Sequence, residues 1–597
     1  MALCVASVNL SSCVKNGDNG NKPSGPRPSE CKPGDDFYTY ANAEWLESIE
    51  GADPQKTYGF YEDVVATSDK RIESVKAAMS EYKLLKKTAA NNHKNADAAM
   101  QLAEEVTKEL LNVESREDIY VAFGRAIRMG VSSIATLHTG ICREDNTFGY
   151  YFLPPVSDME GAVESSRHVA SKRLSRYMPS TRSGKTTIDY VLEGIGLDPK
   201  YYLHSEISDE IVAILEQVDE KELLKNIGEA TLMELVGYCT DEYAYGCSGG
   251  VARNVQEYLD MYIDEHLGYY ISYYYSKKYP TDSVEAAFAA LGDEIVASFR
   301  ERLEHNEWLS PATRQAAIEK LECVGRYYGT PKKWPLTEML QLEGKLLVAD
   351  VLKVMESRSK IIESLLGKSL NEYLPIHYMC YSPFDSIYSY TVNAFYDSAI
   401  NSFYVLPAFM QEPIYAADMD ECKMYAIIAT TIGHEITHGF DQTGATYDKY
   451  GEQKNWWTEG DAAKFAELNA LRAANVSTHE IMPGMPANGE QTVTEDVADL
   501  GGFNTAYDLW VNKLKERGVT GDELIEQKKK FFLCYAAIYS EKMPAAEMIE
   551  RAEKDVHSAG HIRINSVVQH IDDWYELFDV VEGDALYLAP EQRITIW

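Results

Sequence analysis

No run of 18 or more apolar residues occurs in this 597-residue chain, so an ordinary membrane-spanning helix is excluded. Positive charge is also in short supply: 57 Lys and Arg stand against 93 Asp and Glu, a formal net charge of −36. So anionic a surface argues against nucleic acid and anionic membrane as partners. Cysteine is sparse and unpatterned. Ten are scattered with no CxxC spacing, which indicates neither a small disulfide scaffold nor a cysteine-ligated zinc. Cys239 and Cys247, the only close pair after the N-terminal stretch, read as free thiols. No internal repeat of fixed period is evident.

The chain is too long for one ordinary core, so two lobes or more are expected. Its apolar content of 45% and charged content of 25% are those of a globular protein. Residues 1–13 form a short apolar stretch ending in Leu10-Ser11-Ser12-Cys13. That tetrapeptide resembles a bacterial lipoprotein processing site with Cys13 as the lipidated residue, but it lacks a basic leader and reads equally well as a plain tail. Residues 14–35, rich in Asn, Gly, Pro and Ser, read as a tether. From 66 to 365 the pattern is helical, with periods of 3.6 over 96–113, 208–238, 251–279, 284–303 and 311–324, and further helix over 336–366. After residue 370 the texture changes. Residues 387–396 and 401–406, rich in β-branched and aromatic side chains, read as strands. Residues 424–440 read as a helix through a core, Thr458 as a helix N-cap, and Thr492 as the start of another helix whose capping box includes Glu495.

The chemistry is concentrated in His434-Glu435-Ile436-Thr437-His438. Histidines four apart on a helix point the same way, so both can reach one cation, and Glu435 sits beside it without having to ligate. A distant carboxylate would complete three ligands and leave a position for water, the layout of a catalytic rather than a structural zinc site. The charged motif in an apolar helix would be costly without a metal. A third histidine in an extended motif is ruled out, because Asp441 and Gly444 stand where Gly and His would be needed. Glu495 is the best remaining candidate, with Asp499 one turn on to accept the outer N–H of a ligating histidine. From the residues alone, Glu495, Asp496 and Asp499 read equally as acidic residues favoured near a helix start.

Several blocks resemble the neprilysin family of zinc endopeptidases. They are Val392-Asn393-Ala394-Phe395-Tyr396 with Pro407-Ala408; Gly433 to Asp441 with Trp456-Trp457-Thr458; and Asn488-Gly489 with Thr492 to Gly502. Asp555-Val556-His557-Ser558 with Arg563, the Asp35 to Asn42 stretch and Trp597 also fit. The resemblance is specific over about 385–597 and loose before that.

It implies one Zn2+ per chain on His434, His438 and Glu495, with Asp499 behind the ligands and Asp441 orienting another of them. Glu435 would be the general base, and His557, in preference to nearby His561, would stabilise the oxyanion. Asn393 and Ala394 would pair with the substrate backbone, and Arg563 would bind a peptide carbonyl. Phe409, Ile414, Ile538 and Tyr539 are expected to line an apolar subsite, giving cleavage before hydrophobic residues of oligopeptides. The paired cysteines of the eukaryotic ectoenzymes are missing, as Asn42 and Ile594-Thr595-Ile596 stand in those places, which points to a bacterial-type relative.

The expected fold is mainly α (α+β), a two-lobed zincin. A thermolysin-like catalytic lobe would span 366–597 with 36–65 packed on it, after the 1–35 tail. A large helical covering lobe would span 66–365 and restrict substrates to peptides and flexible segments. A monomer is expected, with peptide substrates and no nucleic acid. It would be an extracytoplasmic lipoprotein if Leu10–Cys13 is a true processing site and cytoplasmic otherwise. The rival reading, a binding protein that has lost catalysis, has against it that every residue the mechanism needs is present. Hydrolysis of some bond other than a peptide has against it the backbone-pairing strand at Asn393-Ala394.

Overall fold

The computed structural model describes residues 27–597 except 132, 143–144, 146, 154–174, 177–183, 205, 336–339, 371–372, 374–375, 377 and 380–386. Cys13 and the rest of the N-terminal tail up to residue 26 lie outside the described residues. The fold is mainly helical, and the chain divides into two compact units. No helix among the described residues is long and apolar enough to cross a membrane.

One unit comprises 69–280 and 330–391. Its helices include Ala96–Leu110, Arg116–Met129, Glu220–Val236, Val255–Lys278 and Leu347–Leu365. The continuous pattern over 208–238 is two helices, because Asp219 caps the second by accepting from the backbone N–H groups of Lys221 and Glu222. Helices Arg116–Met129 and Thr187–Ile195 cross at Gly124 and Gly194, where an added Cβ would meet backbone at 2.1 Å. An antiparallel hairpin, Thr136–Cys142 with Thr147–Leu153, interrupts a region that the sequence presents as dominated by helical periodicity. Phe148, Tyr150 and Phe152, at alternate positions, are fully buried.

Among the described residues, the other unit comprises 27–68, 281–329 and 392–597. It departs from the expected boundaries by taking in 281–329 and leaving out 366–391. The reason is strand pairing. Strand β1 (Gly325–Tyr328) runs parallel to β3 (Ser402–Val405), whose other side pairs antiparallel with β2 (Ala394–Asp397). A parallel pair joined over so long a connection has no local signature in sequence. The strands are also shorter than the 387–396 and 401–406 stretches suggest. Helix α1 (Asp282–His305) packs on the same core, and α2 (Pro311–Glu322) follows it. Near the N-terminus, Phe37 is fully buried in this core. The Tyr38 hydroxyl donates to the Glu541 carbonyl at 2.7 Å, and the Tyr38 N–H donates to Asn565 Oδ1 at 2.9 Å.

Two helices carry the site. The first, α3 (Thr430–His438), continues from a π-helical turn at Tyr425–Ala429 and is buried along nearly its whole length. Helix α4 (Glu459–Val476) begins at Thr458, whose hydroxyl accepts from the Asp461 N–H, as the sequence indicates. The second site helix, α5 (Gly489–Glu516), starts a turn earlier than Thr492 suggests. Asn488 is its cap, and the Thr492 hydroxyl donates to Asp496 instead. Glu495 therefore lies in the second turn and faces α3, leaving no capping box. The Gly501-Gly502 pair explains how close the helices come: a Cβ on Gly502 would sit 2.6 Å from the His434 backbone nitrogen and 2.7 Å from the Thr430 carbonyl oxygen.

Candidate active site

Helices α3 and α5 bring His434, His438 and Glu495 together. His434 Nε2 and His438 Nε2 are 3.0 Å apart, and Glu495 Oε2 lies 3.2 and 3.4 Å from them. These three form the one group among the described residues that could hold a metal ion. Each imidazole is fixed from behind. His434 Nδ1 donates to Asp499 Oδ1 at 2.9 Å, and His438 Nδ1 donates to Asp441 Oδ2 at 2.6 Å. With Nδ1 protonated, each Nε2 turns a lone pair toward the same point.

The donor set fits zinc. Three ligand atoms about 2.0 Å from a tetrahedral ion stand roughly 3.3 Å apart, and the three edges here bracket that value. Glu495 Oε2 is buried with three imidazole Nε2 atoms 3.2–3.4 Å away, none of them in well-aligned hydrogen-bond geometry. A carboxylate oxygen facing two imidazole lone pairs is costly unless a cation lies between them.

Asp499 is almost completely buried and clamped. Arg563 Nε reaches its Oδ2 at 2.7 Å, Arg563 Nη2 reaches Oδ1 at 2.6 Å, and the Tyr539 hydroxyl approaches at 3.3 Å. Burial alone would push this carboxyl up, but Arg563 and the His434 hydrogen bond hold it well below the usual range. The Arg563 guanidinium also lies over the Tyr539 ring, 4.4 Å from its centroid.

A cleft opens onto the cluster. Glu435, His557, Arg563, Asn393 and Ala394 line it together with the three clustered side chains. His557 Nε2 points inward, 3.2 Å from Glu495 Oε2, while its Nδ1 donates to Asp555 Oδ1 at 2.7 Å. Burial works against its charge, yet Glu495 and Asp555 together raise its pKa to about 9. His561 is directed elsewhere, onto the Glu480 carbonyl at 2.9 Å. Strand β2 is an edge of its sheet. The Asn393 carbonyl accepts from the Leu406 N–H at 3.1 Å, and Asn393 Nδ2 is buried without a partner.

Of the expected subsite residues, Phe409 and Tyr539 line the cleft. Ile414 and Ile538 do not. Both are buried in the core cluster, as apolar residues at helical spacing commonly are. Sequence reasoning missed Tyr61 and Thr431, which also line the cleft. Thr431 is three residues before His434 and was within reach of helical periodicity. Tyr61 carries no motif and arrives from the far end of the chain.

Residues 393–594 match the profile described as Peptidase family M13, and residues 241–331 match a second profile of the same description. The chain carries domains of peptidase family M13. It is 31% identical over 327 residues to the neutral endopeptidase of Lactococcus lactis subsp. lactis (strain IL1403), a stretch covering 54% of this chain and 48% of that protein. With human neprilysin the identity is 28% over 338 residues, covering 53% and 43%. The chain thus spans about half the length of the curated relatives it matches. Among solved structures, it is similar to the Mycobacterium tuberculosis zinc metalloprotease ZMP1 in its open state, with a TM-score of 0.73 at 20% identity, covering 95% of this chain and 100% of that one. The PepO structure from Lactobacillus rhamnosis gives 0.66 at 20% identity, covering 95% and 100%. The fold is therefore common to all three.

Proposed function

We propose that this M13 chain is a zinc-dependent metalloendopeptidase acting on oligopeptides. The observation that carries the reading is the convergence of Glu495 Oε2, His434 Nε2 and His438 Nε2 in a buried cluster beside Glu435. His434, His438 and Glu495 would hold one zinc. When bound, zinc supplies a Lewis acid that acidifies water and polarises a peptide carbonyl.

The remaining work falls to the chain's own side chains. Glu435 takes the proton from the attacking water and returns it to the leaving nitrogen. His557, oriented by Asp555, donates from Nε2 to the oxygen on which negative charge develops. Asp499 keeps His434 in the required tautomer. Asn393 and Ala394 receive an extended peptide as an added strand on β2, with the free Asn393 amide as a side-chain donor. Arg563 reaches a peptide carbonyl while still paired with Asp499. Phe409 and Tyr539 favour a large apolar side chain on the C-terminal side of the cut bond.

Glu435→Gln should retain zinc, read by metal analysis, and lose roughly 10^2- to 10^4-fold in turnover of a quenched fluorescent peptide. Near wild-type turnover would end the general-base assignment. Cleavage-site profiling of a peptide library should show apolar residues after the cut; a library cut with no such bias overturns the subsite reading. Cys13 remains the proposed lipid acceptor on the Leu10–Cys13 tetrapeptide alone, and failure of the full chain to incorporate labelled lipid in a bacterial host rules it out.

A further inference from the structure

Lys320 lies in the last turn of α2 (Pro311–Glu322), only 1% exposed. Its Nζ donates to two backbone carbonyls, Gly444 and Tyr447, each at 2.7 Å. The Phe440 and Trp456 rings close over it, with centroids 5.6 and 5.8 Å from Nζ. Among the described residues no carboxylate lies within ion-pair distance. A buried ammonium held by neutral acceptors and aromatic faces costs more than an apolar side chain of the same volume would.

The carbonyls it grips explain its presence. Gly444 opens the turn at Gly444–Thr446 and Tyr447 closes it, a few residues after the end of α3. The Gly444 and Thr443 N–H groups both donate to Asp441 Oδ1 at 2.7 Å, and Asp441 Oδ2 accepts a hydrogen bond from His438 Nδ1. The turn is wound so tightly under His438 that a Cβ on Gly444 would meet the His438 carbonyl oxygen at 1.8 Å. A second clasp holds α2 to the same region: Asn401 Nδ2 donates to the backbone carbonyls of Lys320 at 3.1 Å and Lys449 at 3.0 Å. Gly444 therefore links Lys320, which holds its carbonyl, to Asp441, which holds its N–H and the His438 imidazole.

We propose that Lys320 is a positioning residue of the metal centre, fixing the Asp441 turn and through it the His438 imidazole. The inference rests on reading His434, His438 and Glu495 as the zinc site. It gives the 281–329 segment a task in that site, although none of its residues lines the cleft. The low local polarity is visible in the lysine itself: burial pushes its pKa down to about 7, while Asp441 and Asp448 act in the other direction.

The test is a double-mutant cycle on zinc affinity of the full chain, read by competition with a chromogenic chelator. Lys320→Met and Asp441→Ala should each weaken zinc binding about 10-fold, the lower end of the effect of removing a group behind a metal ligand. The double variant should be no worse than the weaker single, because both act through one chain of contacts. A lysine that only supports the fold would lower the melting temperature of the metal-free protein and leave zinc affinity alone, or would add to Asp441→Ala to give about 100-fold. Either result overturns the inference. Should Lys320→Met not fold, Lys320→Gln, which keeps one donor, replaces it in the cycle and is read in the same way. Wild-type protein that takes up no zinc would sink the metal reading and this inference together; normal zinc uptake with unchanged affinity in Lys320→Met sinks only the latter.

Discussion

The two histidines of the cluster are supported in opposite ways. Behind His434 stands Asp499, on a helix 65 residues further along the chain, and behind Asp499 stands Arg563 from a third segment. Behind His438 stands Asp441, only three residues on, held by amides of its own turn and, through Gly444, by Lys320. One imidazole is aimed by the packing of the core, the other by the winding of a single turn. The same job, fixing which nitrogen carries the proton, is thus coupled to global stability in one case and to local geometry in the other.

Breaking the core-based support should have the larger effect. Asp499→Ala leaves the Arg563 guanidinium buried beside an unpaired imidazole, and removing one partner of a buried pair costs about 3–5 kcal/mol. Urea unfolding of the metal-free protein should show that loss, with zinc affinity down roughly 10- to 100-fold. Asp441→Ala should weaken zinc about 10-fold and cost only about 1–3 kcal/mol, the penalty for orphaned turn amides. Equal stability losses in the two variants would erase the distinction.

Gly502→Ala probes the packing from the other side. Its Cβ has backbone atoms on both sides, so overpacking should cost about 1–3 kcal/mol and disturb His434 more than His438. NMR of the histidine ring protons in the zinc-loaded protein would distinguish them.

The smallest effect sharpens the local side. The Lys320 pKa is depressed in the folded chain, so between about pH 7 and 10 the unfolded chain binds the extra proton and stability rises with pH. Below pH 7 both states are protonated, and the full cost of the buried cation is present. Wild-type stability relative to Lys320→Met should therefore grow by about 2 kcal/mol from pH 7 to pH 9. A flat difference would mean that the ammonium is not perturbed.

The same contrast explains what the sequence reveals. His434, Glu435 and His438 are legible because their spacing is the helix period, and Glu495 and Asp499 because they are one turn apart on a second helix. Blocks of neighbouring residues also carry Asn393, His557 and Arg563 into view. Tyr61 stays hidden, since nothing local marks a tyrosine near the start of a helix as facing a cleft formed 370 or so residues later. Lys320 is hidden for a related reason: on an otherwise ordinary helix a lysine reads as solvated, and its burial depends on a turn contributed by another segment. The 281–329 segment joins the site-bearing unit through β1, a pairing that no local pattern announces. The N-cap at Asn488 lost out to Thr492 because both residue types cap well and only the turn before them decides.

X-ray absorption at the zinc edge of the purified chain tests the central claim most directly. Two imidazole nitrogens and one carboxylate oxygen near 2.0–2.1 Å, no sulfur, and loss of bound zinc in Glu495→Ala are the results expected if the cluster is the metal centre. A sulfur-containing shell, or a spectrum unchanged by Glu495→Ala, would contradict it.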